Sequence, residues 1–202
     1  MKKLVIITLL FTINLINAQE LSYGIIFENS FYESGNNNSK NATYVRKNYA
    51  FNPGIYGEYN FNEKIGIKTE IYLKNKNINY KPYNGGYALN FEVDLKYLEI
   101  NPNFKYDFGD EYRKGFYMLA GPKLCFLTKA KSDSEDVKEE FESFYIGAQL
   151  GFGYRVFKYI DLQTKLEYDI SPFFKLENGN KSNFFGAVFS ANIDLARLIS
   201  KG

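Results

Sequence analysis

Histidine and tryptophan are absent from these 202 residues, cysteine occurs once and proline five times. Without histidine, neither a Ser-His-Asp triad nor a His-assisted protease, lipase or acyltransferase site can be assembled. Zinc loses its commonest nitrogen ligand, and the lone Cys125 can make neither a zinc cluster nor an internal disulfide. No run of about 18 apolar residues follows the first twenty positions, so spanning helices are excluded. These absences argue against an enzyme and against any bound metal or cofactor.

The N-terminus sets the compartment. Lys2 and Lys3 precede an apolar run, Leu4–Ile16, and Asn17-Ala18 then leads into Gln19-Glu20. That pattern predicts a secretory signal peptide over residues 1–18, cleaved after Ala18, and a single domain over 19–202. Cleavage removes two lysines and no acid. The 25 basic residues fall to 23 and balance the 23 acidic ones, so neither nucleic acid nor an anionic surface is called for.

What the chain does have is aromatic residues, 19 Phe and 18 Tyr, and alternation. Eight segments read as strands, about 21–31, 50–61, 65–80, 93–107, 116–130, 142–157, 160–176 and 183–197. In "IGIKTEIYLK", Ile65, Ile67, Ile71 and Leu73 alternate with Gly66, Lys68, Glu70, Tyr72 and Lys74. The sixth segment sets Phe144, Ile146, Leu150, Phe152 and Tyr154 against Gly147, Gln149, Gly151, Gly153 and Arg155. Links after the even strands are short and those after the odd strands are long and polar. An even-stranded antiparallel meander with short turns at one rim and long loops at the other is the plan of an outer-membrane barrel.

Alternation alone leaves two barrels open, a transmembrane one and a soluble one that buries the apolar face around a ligand. The glycines decide. Gly24, Gly54, Gly66, Gly121, Gly147, Gly151, Gly153 and Gly186 fall on the polar parity, while the bulky Phe, Ile and Leu fall on the other. The interior of an eight-stranded barrel is the crowded side, so small residues belong inside and large ones in lipid. The expected fold is all-β, an eight-stranded antiparallel up-and-down transmembrane β-barrel. Tyr23, Phe27, Phe51, Tyr59, Phe61, Tyr106, Phe116, Phe126, Phe144 and Tyr154 are then expected to form interfacial girdles.

"GFYMLAGPKL" (Gly115–Leu124), "GFGY" (Gly151–Tyr154), "KYLEI" (Lys96–Ile100) and "KIGIKTEIYL" (Lys64–Leu73) resemble the PorT-like outer-membrane β-barrel family common in Bacteroidetes. The resemblance covers nearly the whole mature chain. It implies an outer-membrane location and, through the member that gives the family its name, an association with type IX protein secretion.

The inward parity carries many charges. Lys68, Glu70, Glu99, Lys105, Arg155, Lys165 and Glu167 are expected to form a lumen network, with Glu70, Lys68, Glu99, Arg155 and Glu167 at its middle. Such charges must pair or stay hydrated, which suggests a barrel filled by ion pairs or, alternatively, a narrow channel for ions or small solutes. Glu167 and Asp169, two residues apart beside Lys165, read as structural rather than as an acid–base pair, and Cys125 as an inert packed thiol. The acidic stretch Ser132–Glu142 reads as a solvated loop without an EF-hand ligand order. Expected partners are outer-membrane lipid and lipopolysaccharide, with the loops 33–43 and 84–87 as the place for a protein partner. A monomer is expected.

Overall fold

In the computed structural model, which describes residues 21–36, 50–80, 83–84, 87–88, 91–109, 115–132, 135–174 and 182–199, the alternating segments form eight long strands. These are β1 (Leu21–Asn36), β2 (Ala50–Asn60), β3 (Ile65–Tyr80), β4 (Phe91–Asp107), β5 (Phe116–Ser132), β6 (Phe144–Phe157), β7 (Ile160–Asp169) and β8 (Ser182–Asp194). Each pairs antiparallel with its sequence neighbours, and β1 pairs with β8 from Gly24↔Asp194 to Asn36↔Ser182. The circuit closes, so no barrel strand leaves an unpaired edge.

The turns after the even strands have local causes. Asn62 Oδ1 accepts the amides of Lys64 and Ile65 at 2.9 and 2.8 Å, an Asx turn between β2 and β3. Gly115 enters β5 at φ +81°, a conformation that a side chain would strain. The signal-peptide segment and the loop residues 37–43 and 85–86 lie outside the described residues.

Several strand limits differ from the sequence reading, and segment one continues to Asn36 instead of ending near 31. Segment seven ends at Asp169, not near 176, because the amides of Ile170 and Ser171 both donate to the Ile146 carbonyl and turn the chain inward. Segment eight ends at Asp194, whose Oδ1 accepts the Arg197 amide at 3.0 Å and starts the short helix α1 (Leu195–Ile199). Segment six starts at Phe144 rather than at 142.

The apolar parity faces out. Leu73, Phe116, Phe152, Leu162 and Phe189 are exposed, while Lys68, Glu70, Glu99 and Lys105 are buried. A soluble barrel sequestering an apolar ligand would have the opposite polarity. Aromatic pairs ring the turn end, with Tyr59–Phe61, Tyr106–Phe108 and Phe116–Tyr154 in contact. Phe27–Phe51 and Phe126–Phe144 do the same toward the loop end. Along β5, the ten residue steps from Phe116 to Phe126, rising ~3.4 Å each at a tilt of ~45°, span ~24 Å, the height of a bilayer's apolar band.

Above that band the pattern inverts. On β3, β4 and β5 the outward residues become polar (Asn75, Asp94, Lys96, Thr128, Lys129), and the inward ones apolar (Ile78, Val93, Leu95, Leu127, Ala130). A β-bulge marks the change: Lys96 pairs with Lys129 and Tyr97 with Leu127, leaving Thr128 extra. Its hydroxyl donates to the Lys96 carbonyl at 2.8 Å. Lower on the same seam, pairing stops at Ile100↔Leu124 and resumes at Phe104↔Ala120. By that register Pro102 and Pro122 face each other, and neither has an N–H to give the ladder.

The barrel lumen as candidate functional site

Glycine and tyrosine build the interior together. A Cβ on Gly54 would meet the Tyr72 ring at 2.6 Å, one on Gly24 the Tyr56 ring at 2.7 Å, and one on Gly186 the Tyr32 ring at 2.5 Å; one on Gly153 would clash with Tyr117. Each bare backbone patch makes room for a ring from another strand. The charged side chains thread between these rings in three tiers.

Nearest the turns, Lys105 Nζ lies 2.8 Å from Glu58 Oε1 and 2.5 Å from Asp107 Oδ2. Arg155 lies 2.7 Å from Asp107, 3.6 Å from Glu58 and 3.7 Å from Asp161, with its guanidinium over the Tyr117 ring. At mid-height Lys165 Nζ is 2.7 Å from Glu70, and Gln163 donates to the same carboxylate at 2.9 Å. Lys68 donates to Gln163 Oε1 at 3.1 Å and sits over the Tyr56 ring.

The third tier centres on Lys74. Its ammonium lies 2.8 Å from Glu99, 3.0 Å from Glu28 and 3.1 Å from Glu167, and donates to the Tyr32 hydroxyl at 2.8 Å. That hydroxyl in turn donates to Glu167 at 3.1 Å. Lys123 bridges Glu167 and Asp169 at 3.3 and 2.6 Å, so these neighbouring carboxylates are held as ion-pair partners. Cys125 is buried beside Glu99, 3.5 Å from its Oε2.

At the loop end the lumen turns apolar. Leu95, Leu127, Ile78, Val93, Phe141, Phe173 and Phe184 form one cluster, with Phe173 stacked on Phe184 at 3.9 Å. The inward turn after β7 delivers Phe173. The acidic stretch read as a solvated loop is partly folded in: Glu135–Asp136 pair with β5, Lys138–Glu140 form a 3-10 turn, and Phe141 is buried against Phe174. Within this cap Lys76 donates to Tyr145 Oη at 2.7 Å and lies over the Tyr32, Tyr97, Tyr145 and Phe184 rings.

The structure places Lys68, Glu70, Glu99, Lys105, Arg155, Lys165 and Glu167 inside the barrel, but not in one cluster. Arg155 belongs with Glu58, Asp107 and Asp161 at the turn end rather than at the middle. The sequence reading turned Lys74 inward without marking it as a hub, and left the caged Lys76 and the interior tyrosines outside the site. Parity was the signal for them, since Tyr56, Tyr72, Lys74, Lys76 and Tyr145 share the phase of the named charges.

Several solved structures have a similar shape. The crystal structure of Neisserial surface protein A is 17% identical, with 87% of this chain and 99% of that one covered and a TM-score of 0.50. The attachment invasion locus protein Ail of Yersinia pestis is 12% identical, with 87% and 99% covered and a TM-score of 0.49. The outer membrane protein OprG of Pseudomonas aeruginosa is 14% identical, with 86% and 91% covered and a TM-score of 0.48. At such identities the likeness to Neisserial surface protein A establishes the fold alone. No curated protein matches the chain. Residues 17–175 match the model of the outer membrane protein beta-barrel domain, and the chain belongs to that family of outer-membrane β-barrels.

Proposed function

We propose that this protein is a non-enzymatic outer-membrane scaffold whose sealed barrel holds its loops at the cell surface, and that it conducts no solute. The observation that carries this reading is the filled lumen: three tiers of buried ion pairs, from Arg155 up to Lys123, under an apolar cap. Passage would require breaking ion pairs in a low-dielectric interior, at several kcal/mol for each ion left alone. With no histidine in the chain, the common hydrolytic sites of membrane barrels have no general base.

Bilayer recording tests the proposal. Wild-type protein is expected to show no single-channel steps, and Glu70→Ala or Arg155→Ala to produce them by opening a wet path. Steps from the wild type would instead establish a narrow channel lined by Lys68, Glu70, Glu99, Lys105, Arg155, Lys165 and Glu167.

Two finer readings accompany it. Residues 1–18 are a signal peptide removed after Ala18, which N-terminal sequencing of the membrane-inserted protein checks. The strand patterns at Gly115–Leu124 and Lys64–Leu73 support a PorT-like subgroup with an accessory part in type IX secretion. Loss of secreted type IX cargo on deletion of the gene is the expected result.

A further inference from the structure

On the outer wall of β4 and β5, Lys96 and Lys129 are direct cross-strand partners. Both are exposed, and among the described residues neither has a carboxylate within ion-pair distance. Like charges placed opposite one another destabilise a sheet. The Thr128 bulge creates this arrangement by turning Lys129 onto the outer face beside Thr128. The next step up sets Lys131 in register with Asp94 on one side and Asp136 on the other, so it carries no excess positive charge. Excess positive charge is therefore confined to the Lys96–Lys129 step.

The height of that step is informative. Lys129 lies three residues beyond Phe126, the top of the apolar band on β5, or ~7 Å higher at a tilt of ~45°. Lys96 lies two residues beyond Leu98 on β4. Below them the same two strands present Leu98, Ile100, Leu124 and Phe126 to the lipid side. A paired cation directly above an apolar stripe fits one ligand chemistry, an acyl-bearing phosphate with its phosphate at the lysines and its chains on the stripe.

We propose that Lys96 and Lys129 form a docking site for the phosphorylated head group of an outer-leaflet glycolipid. The site deepens the outer-membrane reading and rests on it. Its charges stand on the outer wall and are independent of the lumen ion pairs.

The test uses full-length mature protein, folded in detergent or nanodiscs, with diphosphorylated lipid A as probe and native mass spectrometry or thermal shift as readout. Lys96→Gln/Lys129→Gln is expected to weaken binding on the order of fivefold per lysine, whereas Lys64→Gln, in the β2–β3 turn at the opposite rim, leaves it unchanged. Lys96→Arg/Lys129→Arg retains binding, and added salt weakens it. Equal binding of the Gln variant, or equal binding of a dephosphorylated lipid with the same acyl chains, overturns the proposal. Inorganic pyrophosphate binding as well as the lipid overturns the lipid source. Heat-modifiable migration of each variant establishes folding first. A protein that fractionates as soluble refutes the outer-membrane reading itself, whereas a membrane-inserted protein that fails to bind lipid A refutes only this site.

Discussion

Lys74 and Lys76 stand two residues apart on the inner face of β3, equally buried, and the surroundings of their ammonium groups make opposite demands on stability. Lys74 lies within ion-pair distance of three carboxylates, at 2.8–3.1 Å. Replacing it with Met, of similar length, takes from Glu99 its ion-pair partner and leaves Glu28 with Lys165 at 3.8 Å and Glu167 with Lys123 at 3.3 Å. Breaking a buried pair by removing one partner costs ~3–5 kcal/mol. Lys76 has no carboxylate within ion-pair distance among the described residues, and its contacts are four rings and the Tyr145 hydroxyl. Lys76→Met removes an unpaired buried charge but leaves that hydroxyl without its donor, a loss of ~1–3 kcal/mol. The double variant Lys76→Met/Tyr145→Phe removes both and is expected to be ~1–4 kcal/mol more stable than wild type. Urea unfolding in lipid vesicles, followed by the folded and unfolded bands on a gel or by tyrosine fluorescence, measures both changes. If Lys74→Met is as stable as Lys76→Met, the three-carboxylate hub is not what holds that tier together.

Other perturbations probe separate parts of the wall and interior. Gly153→Val drives a side chain into the Tyr117 ring and is expected to cost ~1–3 kcal/mol, with Tyr117→Leu restoring much of it; an additive double variant would refute the packing argument. Pro102→Val/Pro122→Val restores N–H donors to the β4–β5 seam, so the new amides at 102 and 122 should be protected from exchange; rapid exchange there would show the ladder gap has another cause. Because the lumen pairs are shielded from solvent, the unfolding midpoint of the wild type should barely respond to salt, and a steep fall would mean that the lumen is wet.

Strand period and glycine placement were legible from residue order because both are local. Period-two alternation through "IGIKTEIYLK" needs only neighbours, and a barrel that must close in lipid can put its small residues on only one side. The inward phase of Lys68, Glu70 and Glu167 followed from the same count. Partner choice did not. Lys74 meets Glu167 across 93 positions of sequence, and Arg155 meets Asp107 rather than Glu70 because barrel tilt and stagger set heights that no single strand contains. The apolar cap escaped for a related reason. Alternation says which residues share a face but not where the membrane stops, and Ile78, Val93 and Leu95 are inward residues beyond it.

The amino-acid sequence by itself determined the strands, their order and the sidedness of each, since steric alternation and turn chemistry act over a few residues. Tertiary structure alone decided which charges pair with which, that Phe141 and Phe173 join one apolar cluster at the loop end, and that Lys96 comes to face Lys129. Those outcomes depend on register and a one-residue bulge between strands, quantities that exist only once the sheet has closed.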